Sequence, residues 1–103
     1  MSTPFQKVLE FIENLDIRIS SHGYDELAED GLLVMDILSG VREARIVEDY
    51  PAYPKGPGVL ILQKDLQGNP IHVLWGIPRD AAPPAVLITA YRPDPKYWSE
   101  DYM

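Results

Sequence analysis

Few residues in this chain are equipped for chemistry. There are two histidines, His22 and His72, nine lysine and arginine side chains, and no cysteine. The run Ile88-Thr89-Ala90-Tyr91-Arg92-Pro93-Asp94-Pro95-Lys96-Tyr97-Trp98 gathers a hydroxyl, a phenol, a guanidinium, an ammonium and an indole in one short stretch. No other segment holds so many donors. Histidine, with a reference pKa of about 6.5, can serve as base and acid near neutrality. A phenol can donate to a phosphate oxygen or hold a base in place, and a guanidinium can grip phosphate through two parallel hydrogen bonds. The chemistry on offer is proton transfer beside a phosphate. The question is whether the fold assembles it.

The elements that must position these groups can be read from periodicity. Thr3-Pro4-Phe5-Gln6 is a helix start, with a cap, a preset first residue and a capping box. Phe5, Val8, Leu9, Ile12 and Leu15 then recur at three- and four-residue spacing, with Phe11 widening the stripe, which predicts an amphipathic helix over 4–15. Residues 16–20 alternate and suit a short extended segment. Ser20 or Ser21 can cap a second helix carrying Tyr24, Leu27 and Ala28, ended by Gly31. Asp30 can cap a third, with Leu33, Val34, Ile37 and Leu38 as its apolar set and Gly40 as a left-handed terminus.

From residue 43 the period changes to two. Glu43 to Tyr50 alternates weakly, with Ala44 and Ile46 opposite Arg45 and Val47. A proline- and glycine-rich loop fills 51–58. Val59 to Lys64 and Ile71 to Ile77 flank a turn at 65–70 and predict a hairpin. After a loop at 78–84, residues 84–91 make the last strand and lead into a short C-terminal helix. The fold expected is α+β, one domain, with N-terminal helices on one face of an antiparallel sheet of about four strands. Strand parity places Ile71, Val73, Trp75 and Ile77 opposite His72, Leu74 and Gly76. It likewise sets Val86, Ile88 and Ala90 against Leu87, Thr89 and Tyr91. The mixed sets, His72 with Thr89 and Tyr91, are expected to share the open face. Gly76 leaves space there for close approach to the backbone.

The net charge is −7 over 103 residues. Residues 1–50 carry four basic and eleven acidic side chains, whereas residues 51–103 carry five of each. A generic nucleic-acid binder is basic, so a phosphate site here must be local and mostly in the second half. The acidic half suits solubility or a basic partner. Without cysteine there is neither a disulfide framework nor a thiolate metal site. No apolar run approaches the length of a membrane span, and no basic-then-apolar leader is seen, so a cytoplasmic location is expected.

Ile88 to Trp98, with Ile19-Ser20-Ser21-His22 and Glu48-Asp49-Tyr50-Pro51, resembles a bacterial family labelled a domain of unknown function. Its pattern is I-S-x-H, E-D-Y-P, an x-H-V strand and a terminal I-T-A-Y-x-P-D-P-x-x-W, and the likeness spans roughly residues 17–98. Such members are often classed with RelE-, MqsR- and BrnT-like toxins, some beside a small zinc-ribbon antitoxin similar to MqsA. The resemblance implies a RelE- or barnase-like α+β fold and RNA cleavage without metal or other cofactor, with an antitoxin of zinc-ribbon or DNA-binding type as partner. It also places His22 in the family motif.

Metal-independent RNA cleavage needs a base for the 2′-hydroxyl, an acid for the 5′-oxygen and positive charge on the phosphorane. His72, Tyr91 and His22 are the catalytic candidates; Arg92, Thr89, Lys64 and Arg45 are the candidates for binding RNA. His72 also suits a sheet residue hydrogen-bonded to Thr89 or Tyr91, and His22 suits a brace at a helix start. A metal at His22-Gly23-Tyr24-Asp25-Glu26 is the weakest idea, because no paired-histidine spacing supports it. Tyr97, Trp98 and Tyr102 can stack on bases, though docking of a terminal helix is the simpler role for Trp98. Two readings result. One is a toxin-like endoribonuclease; the other is a non-catalytic protein-binding module of the same fold.

Overall fold

The computed structural model describes residues 3–94. The chain forms α1 (Thr3–Glu13), β1 (Ile17–Ile19), α2 (Ser21–Glu29), α3 (Val34–Gly40), a 3-10 turn (Val41–Glu43), β2 (Arg45–Tyr50), β3 (Gly58–Lys64), β4 (Pro70–Gly76) and β5 (Ala85–Tyr91). The five strands make one sheet in the order β1-β5-β4-β3-β2. The sheet is α+β as expected, but it is mixed and holds one strand more than the four anticipated. The extended segment at 16–20 is the extra strand, pairing parallel with β5 through Ile17↔Ala85, Arg18↔Val86 and Ile19↔Leu87. All other pairs are antiparallel. The expected C-terminal helix, with Lys96, Tyr97, Trp98 and Tyr102, lies outside the described residues.

The helix ends follow from local hydrogen bonding. Helix α1 stops two residues before Leu15, which adopts φ 59° and is 79% exposed rather than part of the apolar stripe. The Leu15 N–H donates to Ile12 O at 3.0 Å and the Asp16 N–H to Phe11 O at 2.8 Å, a Schellman closure with leucine in the left-handed position. Helix α2 closes the same way around Gly31 at φ 63°, with Leu32 N–H donating to Leu27 O at 2.8 Å. Leu27 and Leu32 are both buried, supplying the apolar contact that accompanies this motif. Asp30 therefore ends α2 instead of capping α3. Helix α3 has Leu33 as its N-cap residue, whose N–H donates to Asp36 Oδ2 at 3.1 Å. Gly40 is not left-handed: its φ of −105° carries the chain into the 3-10 turn. A glycine is needed at 40 because a Cβ would stand 2.5 Å from Lys64 O.

The helices cover one sheet face. Phe5, Val8 and Phe11 of α1, Leu27 of α2 and Ile37 of α3 bury against Val59, Ile61, Ile71, Val73, Trp75, Leu87 and Ala90. Gln63 also points inward, and its amide donates to Ile37 O at 2.8 Å, tying the end of α3 to β3. Two bulges adjust the opposite face. One falls between Ile46 and Glu48 in β2; the other shifts β5 against β4 between Leu74↔Thr89 and Trp75↔Leu87. The second bulge corrects the parity reading of 86–91. Leu87 and Ala90 both enter the core, so Val86, Ile88 and Ala90 do not share a face. Among the described residues no helix is long and apolar enough to cross a membrane.

Candidate functional site on the open sheet face

His72 and Tyr91 are brought together. They are register partners on β4 and β5, below the bulge, where parity still holds. His72 Nδ1 lies 3.1 Å from Tyr91 Oη, and the rings meet edge to face with centroids 5.3 Å apart at 80°. Burial pushes the Tyr91 phenol above its ordinary pKa, so it stays protonated near neutrality and can donate to Nδ1. In the other tautomer Nδ1–H donates to the phenol oxygen, and Nε2 keeps the lone pair that a base needs. His72 itself is fully buried. Thr89, opposite Leu74, lies half-buried beside this couple.

The other candidates are dispersed. Arg45↔Leu62 and Leu62↔His72 are register pairs, so Arg45, Leu62, His72 and Tyr91 form one row across four strands. At the usual strand spacing Arg45 is about 10 Å from His72, backbone to backbone. Lys64 follows Leu62 by two residues, and Arg45 and Lys64 line a common cleft of about 630 Å³ with Glu43, Leu62 and Asp65. Arg92 is held by two acids. Its guanidinium lies 3.0 Å from Asp65 Oδ2, and its backbone N–H donates to Asp30 Oδ2 at 2.8 Å. His22 is also elsewhere. It is exposed on α2, 3.5 Å from Glu26, on a helix that seats Gly23 against core-facing Leu87. Among the described residues no three histidine, aspartate or glutamate side chains gather as a metal site would require.

Asp65 is what fixes Arg92. The turn after β3 folds around its buried carboxylate, whose Oδ1 accepts from Asn69 N at 2.8 Å and Gln67 N at 2.9 Å. The Asn69 N–H first, then Arg92 and the Gln67 N–H, hold the acid below its ordinary 3.8 against the opposing effect of burial. A depressed carboxyl stabilises the fold above its unfolded pKa, and that stability is lost as pH falls through the folded value. Asp65→Asn should therefore melt below wild type at neutral pH, and the gap should close as melts are repeated from about pH 4 downward. A gap independent of pH would show that the charge on Asp65 is not what matters.

A second row, four residues further along β4, is a feature the sequence reading missed. Tyr50↔Gly58, Gly58↔Gly76, Gly76↔Val86 and Val86↔Arg18 run through all five strands. Gly58 and Gly76 carry no side chain, but the Ile88 side chain fills the space expected over Gly76, so the row is a trough partitioned by Ile88, with a phenol at one end and a guanidinium at the other. Ser20 caps α2 beside it, accepting from Gly23 N at 2.9 Å and donating to Ile88 O at 3.0 Å. Tyr50 Oη donates to Glu48 Oε2 at 2.8 Å, and burial followed by Glu48 raises the Tyr50 phenol above its ordinary value. The Tyr53 ring stands 6.2 Å from that of Tyr50, tilted by 55°. Clefts of about 210 Å³ and about 870 Å³ adjoin here, with Tyr53 and Ile88 in the walls of both. Counting outward from the hairpin turn would have paired Gly58 with Gly76; the contributions of β1 and β2 carry no such signal.

No curated protein and no solved structure matches the chain. A family model described as a domain of unknown function, DUF4258, matches residues 19–92. The matched span runs from the last residue of β1 through Arg92, so it contains β2 to β5 and the His72 row, and leaves out α1 and Arg18. Covering well over half of the sequence, it shows that this chain belongs to the DUF4258 family.

Proposed function

We propose that the chain is a bacterial, cytoplasmic, toxin-like endoribonuclease of a toxin–antitoxin pair, acting without metal on RNA laid across the open sheet face. The observation that carries this reading is the His72–Tyr91 couple, one acid–base side chain held by a protonated phenol at 3.1 Å. In this reading His72, in the tautomer whose Nδ1–H donates to the Tyr91 oxygen, takes the proton of the 2′-hydroxyl on Nε2 as that oxygen attacks phosphorus. The 5′-oxygen leaves with a returned proton, giving a 2′,3′-cyclic phosphate and a 5′-hydroxyl. Tyr91 orients the ring, and Arg45 and Lys64 face the phosphate backbone from β2 and β3. The neutralising partner would be a small protein of zinc-ribbon or DNA-binding type. Overexpression should slow bacterial growth, with His72→Asn or Tyr91→Phe restoring it. Normal growth at high expression, together with intact RNA in a purified assay, would remove this reading.

Two observations favour a second reading, a non-catalytic protein-binding module of the same fold. His72 is fully buried, and the Arg92 guanidinium is committed to Asp65. A stoichiometric small protein that co-purifies with the chain, with no RNA damage at any concentration, would support it.

A further inference from the structure

We propose that the trough Tyr50–Gly58–Gly76–Val86–Arg18 is a nucleotide subsite, taking one base against the tyrosines and its phosphate at Arg18 and Lys55. The inference deepens the RNA reading of the open face and rests on it. The glycines are the first argument. Gly58 floors a cleft of about 210 Å³ walled by Tyr50, Tyr53, Leu74 and Ile88, whereas over its cross-strand partner Gly76 the Ile88 side chain takes the space, standing 2.8 Å from where a Cβ would be. A flat ring can then lie over Gly58, where an ordinary side chain would fill the cleft. Tyr50 and half-exposed Tyr53 supply aromatic faces at one end, and Leu74 and Ile88 close the side towards His72. Base–aromatic stacking needs no sequence match, since every base has a π face.

Charge is the second argument. In a chain of net charge −7, Arg42 pairs with Glu13 and Arg92 with Asp65, whereas Arg18 and Lys55 form no ion pair with another described residue. Both line the larger cleft at the far end of the trough. Five strands set Tyr50 and Arg18 about 19 Å apart, backbone to backbone. Side chains reaching inward from both ends leave the span of a single nucleotide. Along β4 the trough is four residues from His72, about 13 Å, so the bound base would lie one or two nucleotides from the bond cut at His72. Unpaired cations and aromatic faces suit a nucleotide better than a peptide, which would need a sheet edge for its main chain.

The test uses the full chain and a labelled RNA hexamer made uncleavable by 2′-O-methyl groups, with binding followed by fluorescence anisotropy. Tyr53→Ala should weaken binding about tenfold. Arg18→Ala combined with Lys55→Ala should flatten the plot of log affinity against log salt by about 1.4, the loss of two phosphate contacts on a single strand. All three positions are exposed, so melting curves should match wild type. Cleavage of unmodified RNA is measured alongside. If both variants bind within twofold of wild type with its salt slope while cleavage persists, the subsite is wrong and the nuclease stands; a trough that holds a peptide would give this result. Trough-dependent binding without cleavage supports the subsite and removes the nuclease. A wild-type chain that neither binds nor cleaves overturns both.

Discussion

His72→Asn should lower the rate of RNA cleavage by about a hundredfold or more, the usual loss when a positioned acid–base group is removed. Asparagine is the informative replacement. Its side chain can still meet the Tyr91 hydroxyl where Nδ1 lies, so the 3.1 Å contact has a successor, but it cannot carry a proton to and fro. Tyr91→Phe should cost less, because the ring remains edge-on to the imidazole and only the orienting hydroxyl is lost. The ordering matters more than either value. An asparagine variant that cleaves like wild type, with an unchanged melting curve, places the chemistry elsewhere. A tyrosine variant more damaged than the histidine variant would make the phenol the reacting group.

Trp75→Ala should be the most destabilising single substitution in the sheet, by about 3–5 kcal/mol. Among the described residues Trp75 is the largest fully buried side chain, and it stands in the middle of the helix-covered face. For a domain this size such a loss lowers the melting temperature by roughly 15 °C or more. Trp75→Phe should cost much less. The indole Nε1 is buried without a hydrogen-bond partner among the described residues, so phenylalanine removes a desolvated donor along with some volume. Thermal melts of both variants check this, and equal losses would mean that the indole nitrogen is satisfied in solution.

The parts of this fold legible in the sequence are those written within one short window. The β3–β4 hairpin is legible because alternation on both sides of Asp65–Pro70 fixes its register, and the inward set Ile71, Val73 and Trp75 follows. His72 meets Tyr91 because both lie below the bulge in β5. Above it, parity fails: nothing in Val86-Leu87-Ile88-Thr89-Ala90 marks Ile88 as the extra residue, since all five side chains suit a strand. The Arg92–Asp65 pair is not legible, because Asp65 lies 27 residues away and is fixed only by the turn it nucleates. Gly40 looked like a helix terminus, whereas its reason is a carbonyl on another element. The trough is a property of register across five strands, which no local pattern expresses.

The parallel pairing of β1 with β5 also sets an order of events. Ile17–Ile19 must wait for Ala85–Leu87, and the Ser20 N–H that opens α2 donates to Leu87 O at 3.0 Å. Closing so long a loop costs entropy before any contact compensates, so this step belongs late in folding and should be slow compared with the β3–β4 hairpin. During synthesis the first strand and the helix it leads into have no docking surface until residue 91 has emerged. Arg18 reaches the trough, and Tyr91 reaches His72, through the same final strand. The two rows therefore switch on together, and a nascent chain carries neither of them in working form.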